Sequence, residues 1–85
     1  DGYFCQTGLT LVLFATMINK GFISEGEYSM PVISNNNTGT VGAVLKVDNL
    51  IYNFYTDRAV DVEYVKENSV HFQTHIIHSK SLTSN

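Results

Sequence analysis

One cysteine, Cys5, stands in 85 residues. No disulfide can close within the chain, and the CxxC and Cys2His2 zinc patterns are excluded with it. Tryptophan is absent and proline occurs once. Basic residues are few: five Lys and Arg against eight Asp and Glu leave a net charge of −3. No general field draws in a polyanion, which argues against a strongly electrostatic nucleic-acid binder. The longest apolar run, Leu11 to Ala15, is far too short to cross a bilayer. No basic stretch precedes it, so the expectation is a processed product beginning at Asp1 rather than a signal peptide. What is present is a globular composition, 44% hydrophobic and 15% charged. There is room for one domain, residues 1–85, and a chain of this size buries only about 60% of the surface it exposes when unfolded.

The first third reads as a helix over residues 7–20. Thr7 is a suitable N-cap, and Leu9, Val12, Leu13 and Met17 recur at helical spacing. Leu11, Phe14, Ala15 and Ile18 widen the stripe to most of the circumference, so the helix is expected to be sandwiched. Lys20 followed by Gly21 is a stop signal. Strands and turns follow. Tyr28 to Ser34 is extended, with Pro31 marking a sheet edge or bulge. Asn35 to Gly39 is a turn, Val41 to Val47 alternates as a half-buried strand, and Asp48-Asn49 is a two-residue hairpin. Leu50 to Tyr55 is an aromatic strand. Val60, Val62 and Tyr64 alternate with Asp61 and Glu63 as a further strand, residues 66–69 turn, and Val70, Phe72, Thr74 and Ile76 form the last one. Residues 79–85 read as a frayed tail. The sum is an α+β domain: one N-terminal helix packed on a single antiparallel sheet of about four to five strands.

Few residues invite chemistry. In a strand His71 and His75 share a face about 13 Å apart and His78 points the other way, so the histidines do not converge on a metal. Arg58 and His75 are the better pair. A turn at 66–69 would run their strands antiparallel and bring 57–60 beside 74–77, where a guanidinium and an imidazole suit a phosphate. The plain alternative is an exposed Arg58 paired with Asp57 or Asp61. No carboxylate is placed as an activated base: Glu25, Glu27 and Glu67 fall in loops or turns, and Asp61 and Glu63 on a polar face. Cys5 lies beside Tyr3 and Phe4 with no histidine before His71, a poor nucleophile setting. Tyr52, Phe54, Tyr55 and Tyr64 could stack bases, but only Lys46, Arg58 and Lys66 lie near, so they suit protein contact at least as well. Asn36-Asn37-Thr38 is a glycosylation sequon with Asn36 as the acceptor.

Two segments together carry a resemblance. Tyr3-Phe4-Cys5 ahead of a helix is similar to the Tyr-x-Cys start of the ribonuclease-like effectors secreted by powdery mildew fungi. Thr56-Asp57-Arg58-Ala59-Val60, with Gln73-Thr74-His75 in the next strand, resembles the late catalytic strands of small secreted fungal guanyl-specific ribonucleases. The shared order of elements covers almost the whole chain. The resemblance implies a microbial-ribonuclease fold, with Tyr3 and Cys5 as the family motif and Arg58 and His75 on the positions of the phosphate-binding arginine and the general-acid histidine. It also shows departures. The family's base glutamate would fall near Gly42, Ala43 and Val44, and its Tyr-x-His motif near Tyr28 to Val32, where Ser29, Met30 and Pro31 stand. The family's second cysteine near the C-terminus has no counterpart between Ser69 and Asn85.

Cleavage of RNA through a cyclic phosphate needs a base for the 2′-hydroxyl proton and an acid for the leaving oxygen. With the acid kept and both bases gone, the resemblance implies a pseudoenzyme in which Arg58 and His75 are vestigial. The expectation is a secreted virulence or avirulence effector that moves to the host cell cytoplasm. It would act there by contact with host plant proteins, including an intracellular immune receptor, with no cofactor, metal or membrane. Two alternatives remain: an active small ribonuclease using His71 or Glu63 as base with His75 and Arg58, and a pseudoenzyme that binds RNA by stacking.

Overall fold

The computed structural model describes residues 2–82. Helix α1 covers Gly2–Asn19, five residues more at its start than the cap at Thr7 predicts. Thr7 does not cap: its Oγ1 accepts the backbone N–H of Ala43 at 3.1 Å. Tyr3-Phe4-Cys5 therefore lies inside the first turns of α1 rather than ahead of it. Those turns are held by tertiary contacts, since Tyr3 packs on the core and Gln6 Nε2 donates to the Asn53 carbonyl at 2.9 Å. The stop is where the sequence places it. Gly21 takes φ 77°, its N–H reaches the Ile18 carbonyl at 3.1 Å, and Phe22 N–H reaches Met17 at 2.9 Å, the paired bonds of a Schellman end.

Strand β1 (Glu27–Asn35) is interior to a six-stranded antiparallel sheet. On one side it pairs along its whole length with β6 (Ser69–His78), and on the other with β2 (Val41–Ala43) and then β3 (Leu45–Val47). β3 continues into β4 (Leu50–Tyr52) across a tight turn in which Asp48 has φ 54°, and β4 pairs with the two-residue β5 (Val60–Asp61). Pro31 is not at an edge. It stands beside a bulge, because the β1–β6 register slips between Val32 and Ile33. Its carbonyl accepts Val44 N–H at 2.8 Å. In an antiparallel ladder a residue's N–H and C=O face the same neighbour, so the donor that Pro31 lacks faces Val44, where the partner strand breaks into β2 and β3.

Each face of the sheet carries a buried cluster. On one, α1 covers a cluster of Phe14, Met17, Met30, Val32, Ala43 and Leu45. On the other, Ile33, Val44, Ile51, Phe54 and Val65 form a second cluster. The 41–47 segment does not alternate as expected: it breaks into two strands at Val44, Val41 is exposed, and Gly42 to Leu45 are buried in one run. The helix is not sandwiched: Thr10, Phe14 and Met17 face the sheet while Phe4, Leu9 and Val12 are 76, 57 and 64% exposed, so the apolar outer side is left uncovered. Thr10 is tolerated at the buried centre because its hydroxyl donates to the Ala43 carbonyl at 2.7 Å and accepts from Asn53 Nδ2 at 2.9 Å.

Three sequence expectations fail near the C-terminus. The Val60–Tyr64 alternation is a strand only at Val60–Asp61, and Val62–Glu67 is a short helix, α2. Val62 and Val65, three apart, pack on the second cluster, and Glu63 meets Lys66 across one turn at 3.7 Å, so helical spacing wins over five residues of alternation. The predicted turn at 66–69 becomes the last turn of α2, its Asn68 cap and the start of β6. The tail is not frayed over Ser79–Leu82, a 3-10 turn in which Ser79 is buried. Ser79 N–H donates to the Gly26 carbonyl at 2.9 Å, Gly26 N–H donates back to Ser79 Oγ at 3.0 Å, and Leu82 packs against the first cluster. The rest of the predicted tail, 83–85, lies outside the described residues.

Candidate functional site

The sheet order decides what Arg58 and His75 can do. β6 pairs only with β1 and β5 only with β4, so the segment carrying Arg58 and the strand carrying His75 stand at opposite edges, with β1, β3 and β4 between them. The expected neighbour pairing of those two segments does not form, because the chain between them is a helix rather than a strand and hairpin. Arg58 instead bonds Asp57 at 2.9 Å in an exposed ion pair and lies over the Tyr55 ring, 4.2 Å from its centroid. His75 sits opposite Met30, exposed on β6. His71 Nε2 is 2.8 Å from Thr74 Oγ1, and His78 Nδ1 accepts the N–H of Lys80 at 3.1 Å. Among the described residues no three of His, Cys, Asp and Glu gather where a metal could sit. Glu63 is committed to the Lys66 ion pair on α2. At 42–44, where the resemblance puts a base, the space is filled: a Cβ on Gly42 would meet Gln6 Oε1 at 2.1 Å, and Ala43 and Val44 are buried.

Three of the four aromatic candidates do converge. Phe54 is buried, and the rings of Tyr55 and Tyr64 stand edge-on to it at 5.0 and 6.0 Å. Tyr52, the fourth, turns to the opposite face and packs against the first cluster. The Tyr55 and Tyr64 hydroxyls are 2.8 Å apart. Asn37, which the sequence marks only as a turn residue, completes the group: its Nδ2 donates to Tyr55 Oη at 2.8 Å and lies 3.3 Å from Asn68 Oδ1.

The turn that presents Asn37 is built by buried Asn35. Asn35 Oδ1 accepts the N–H of Asn37 at 2.8 Å, and its Nδ2 donates to the Phe54 carbonyl at 3.1 Å. Asn36 N–H then reaches the Asn68 carbonyl at 2.8 Å, and Asn36 itself is exposed. The only hint in the sequence was the Asn triplet, and it announces a turn, not a platform.

The phenols are electrostatically unequal. Tyr55 is held below the ordinary 10.0 chiefly by the hydrogen bond from Tyr64, then by Asn37 and the nearby Arg58 cation. Tyr64 is raised chiefly because its proton is engaged by Tyr55. Both groups lie at the surface, Tyr64 being 36% exposed. Tyrosine and arginine on a rigid aromatic base are the residue types that anchor protein interfaces.

Comparison with protein-family models, curated proteins and solved structures gives no match.

Proposed function

We propose that this chain is a non-catalytic recognition domain, a secreted effector of the ribonuclease-like kind that works in the host plant cell by contact with host proteins and is read by an intracellular immune receptor. The observation that supports the non-catalytic reading is the separation of Arg58 and His75 to opposite edges of the sheet, so that this guanidinium and this imidazole do not flank one phosphate. The contact surface is Tyr55, Tyr64, Asn37 and Arg58, tied together by hydrogen bonds and a cation–π contact. The secreted setting and the plant partner come from the resemblance of Tyr3-Phe4-Cys5 and the Asp57-Arg58 and Thr74-His75 segments.

Incubating the purified domain with RNA tests the first half. No cleavage above a buffer blank is expected, and robust cleavage abolished by His75→Ala would overturn it. Proximity labelling in leaf cells tests the second. Partner capture should fall on Tyr55→Ala or Tyr64→Ala and stay unchanged on Tyr3→Phe at the other face. Salt-sensitive binding of single-stranded RNA by the same tyrosines would favour the stacking pseudoenzyme instead.

A further inference from the structure

The second face of the sheet is only half covered. α2 spans six residues, about 9 Å of helix, against a β1 strand of nine residues, about 30 Å long. Beside α2 the uncovered part is a groove of about 520 Å³, within the ~300–1,000 Å³ that small-molecule sites occupy. Its floor is Pro31, Ile33, Ile51, Val62 and Val65. Its rim is of one sign. Lys46 and Lys66 both line it with His71, and no Asp or Glu does. Two of the chain's five cations thus border one apolar hollow on a protein whose net charge is −3. Among the described residues no carboxylate pairs with Lys46, and the one on Lys66 is Glu63, at 3.7 Å in an exposed pair of little strength. A comparable hollow of about 480 Å³ on the other side, by Phe22 and Leu50, has the opposite character: it holds Asp48 and no cation.

From this charge complementarity we propose that the groove between α2 and β6 binds a single-chain amphiphile with an anionic head, its tail on Ile33, Ile51 and Val65 and its head between Lys46 and Lys66. Lys46 and Lys66 have long aliphatic stems that extend the apolar wall while the ammonium groups stay at the mouth. Such a ligand uses both features at once. A neutral alkane forgoes the rim, and a free anion forgoes the floor.

The test is a titration of the whole domain, followed by amide resonances, with octanoate, decanoate and dodecanoate below their micelle concentrations. Dodecanol, dodecyl phosphate and dodecyltrimethylammonium serve as head-group controls. Saturable shifts at Ile33, Ile51, Val65 and Ser69 are expected. Affinity should rise about three- to fourfold per added methylene until the groove is full. Dodecyl phosphate should bind like dodecanoate, whereas dodecanol should be about tenfold weaker and the cationic amphiphile weaker still. Lys46→Gln and Lys66→Gln should each cost about fivefold for dodecanoate and nothing for dodecanol. Both sites are at the surface, so these variants fold whether or not the groove binds. Unmoved resonances, equal affinity for all heads, or shifts centred on Phe4, Leu9 and Val12 of α1 would each overturn the assignment. So would an acidic peptide that seats in the groove when the alkyl anions do not.

Discussion

The two faces of the sheet are closed in different ways. On one, an 18-residue helix about 27 Å long lies across the strands and buries Phe14 and Met17 against Met30, Val32, Ala43 and Leu45. On the other, a six-residue helix contributes Val65 to a smaller cluster and leaves the apolar groove open at its side. The first face also carries a polar seam. Thr10 and Gln6 of α1 are joined to Ala43 and Asn53, which fixes the helix in one register on the sheet. On the second face the Ser69 hydroxyl of β6 donates to the Val65 carbonyl of α2, and a further polar network lies at the surface, at Asn37, Tyr55 and Tyr64. The larger buried cluster lies under the longer helix, and the hollow bordered by cations lies beside the shorter one.

The largest effect should come from the face under α1. Phe14→Ala removes a side chain that is wholly buried and should cost about 3–5 kcal/mol, measured by urea unfolding. Val65→Ala on the half-covered face should cost about 2 kcal/mol or less, because the open groove lets the site relax. Equal losses would break the comparison. The polar seam comes next. Thr10→Val takes the hydroxyl donor from the Ala43 carbonyl and leaves Asn53 Nδ2 with the Gln6 carbonyl as its acceptor, and should cost about 1–3 kcal/mol. Gly42→Ala should cost about 1–3 kcal/mol by driving Gln6 from its place, and a second change, Gln6→Ala, should return most of it in a double-mutant cycle.

Two smaller effects sharpen the second face. Asp61→Ala should move stability by less than about 0.5 kcal/mol, because Asp61 holds the N-cap position of α2 without a side-chain capping bond. In an alkaline titration followed by phenolate absorbance, Tyr55 should ionise before Tyr64, and Tyr64→Phe should move Tyr55 back toward 10.0. The signs oppose each other. With its folded pKa lowered, Tyr55 contributes stability that is present above 10.0 and lost as pH falls through its folded value. With its folded pKa raised, Tyr64 contributes stability that is present below 10.0 and lost as pH rises through its folded value. Stability from the pair should therefore rise with pH toward 10.0 and fall above it.

Much of the fold was legible residue by residue. Gly21 ended the helix, Asp48-Asn49 made the hairpin, the Asn35–Gly39 segment made the turn, and Pro31 marked the bulge. The misreadings share a cause. Val60 to Tyr64 satisfies the strand period over five residues, yet Val62/Val65 and Glu63/Lys66 satisfy the helical one over a similar length, and only the hollow beneath Val65 chose between them. In α1, Leu9 and Val12 fit the apolar stripe as well as Thr10 and Phe14 do. The buried side was selected by the Ala43 and Asn53 groups that Thr10 satisfies. In β6, Val70, Phe72 and Ile76 announce a strand but remain more than half exposed at the sheet edge. The candidate site was half legible: Tyr55 and Tyr64 stood out as aromatics, whereas Asn37 did not, and Arg58 and His75 were placed together on a strand pairing that the fold does not make.

By itself, then, the sequence determined one helix, a set of short strands and the turns between them, because periodicity, glycine φ and Asn turn chemistry act over a few residues. Tertiary structure alone decided that β6 returns to pair with β1, that β5 ends at the far edge, and that residues 37, 55 and 64 meet. Those outcomes depend on which distant apolar faces bury one another, and a free energy shared among many distant partners leaves no signature in any one stretch of chain.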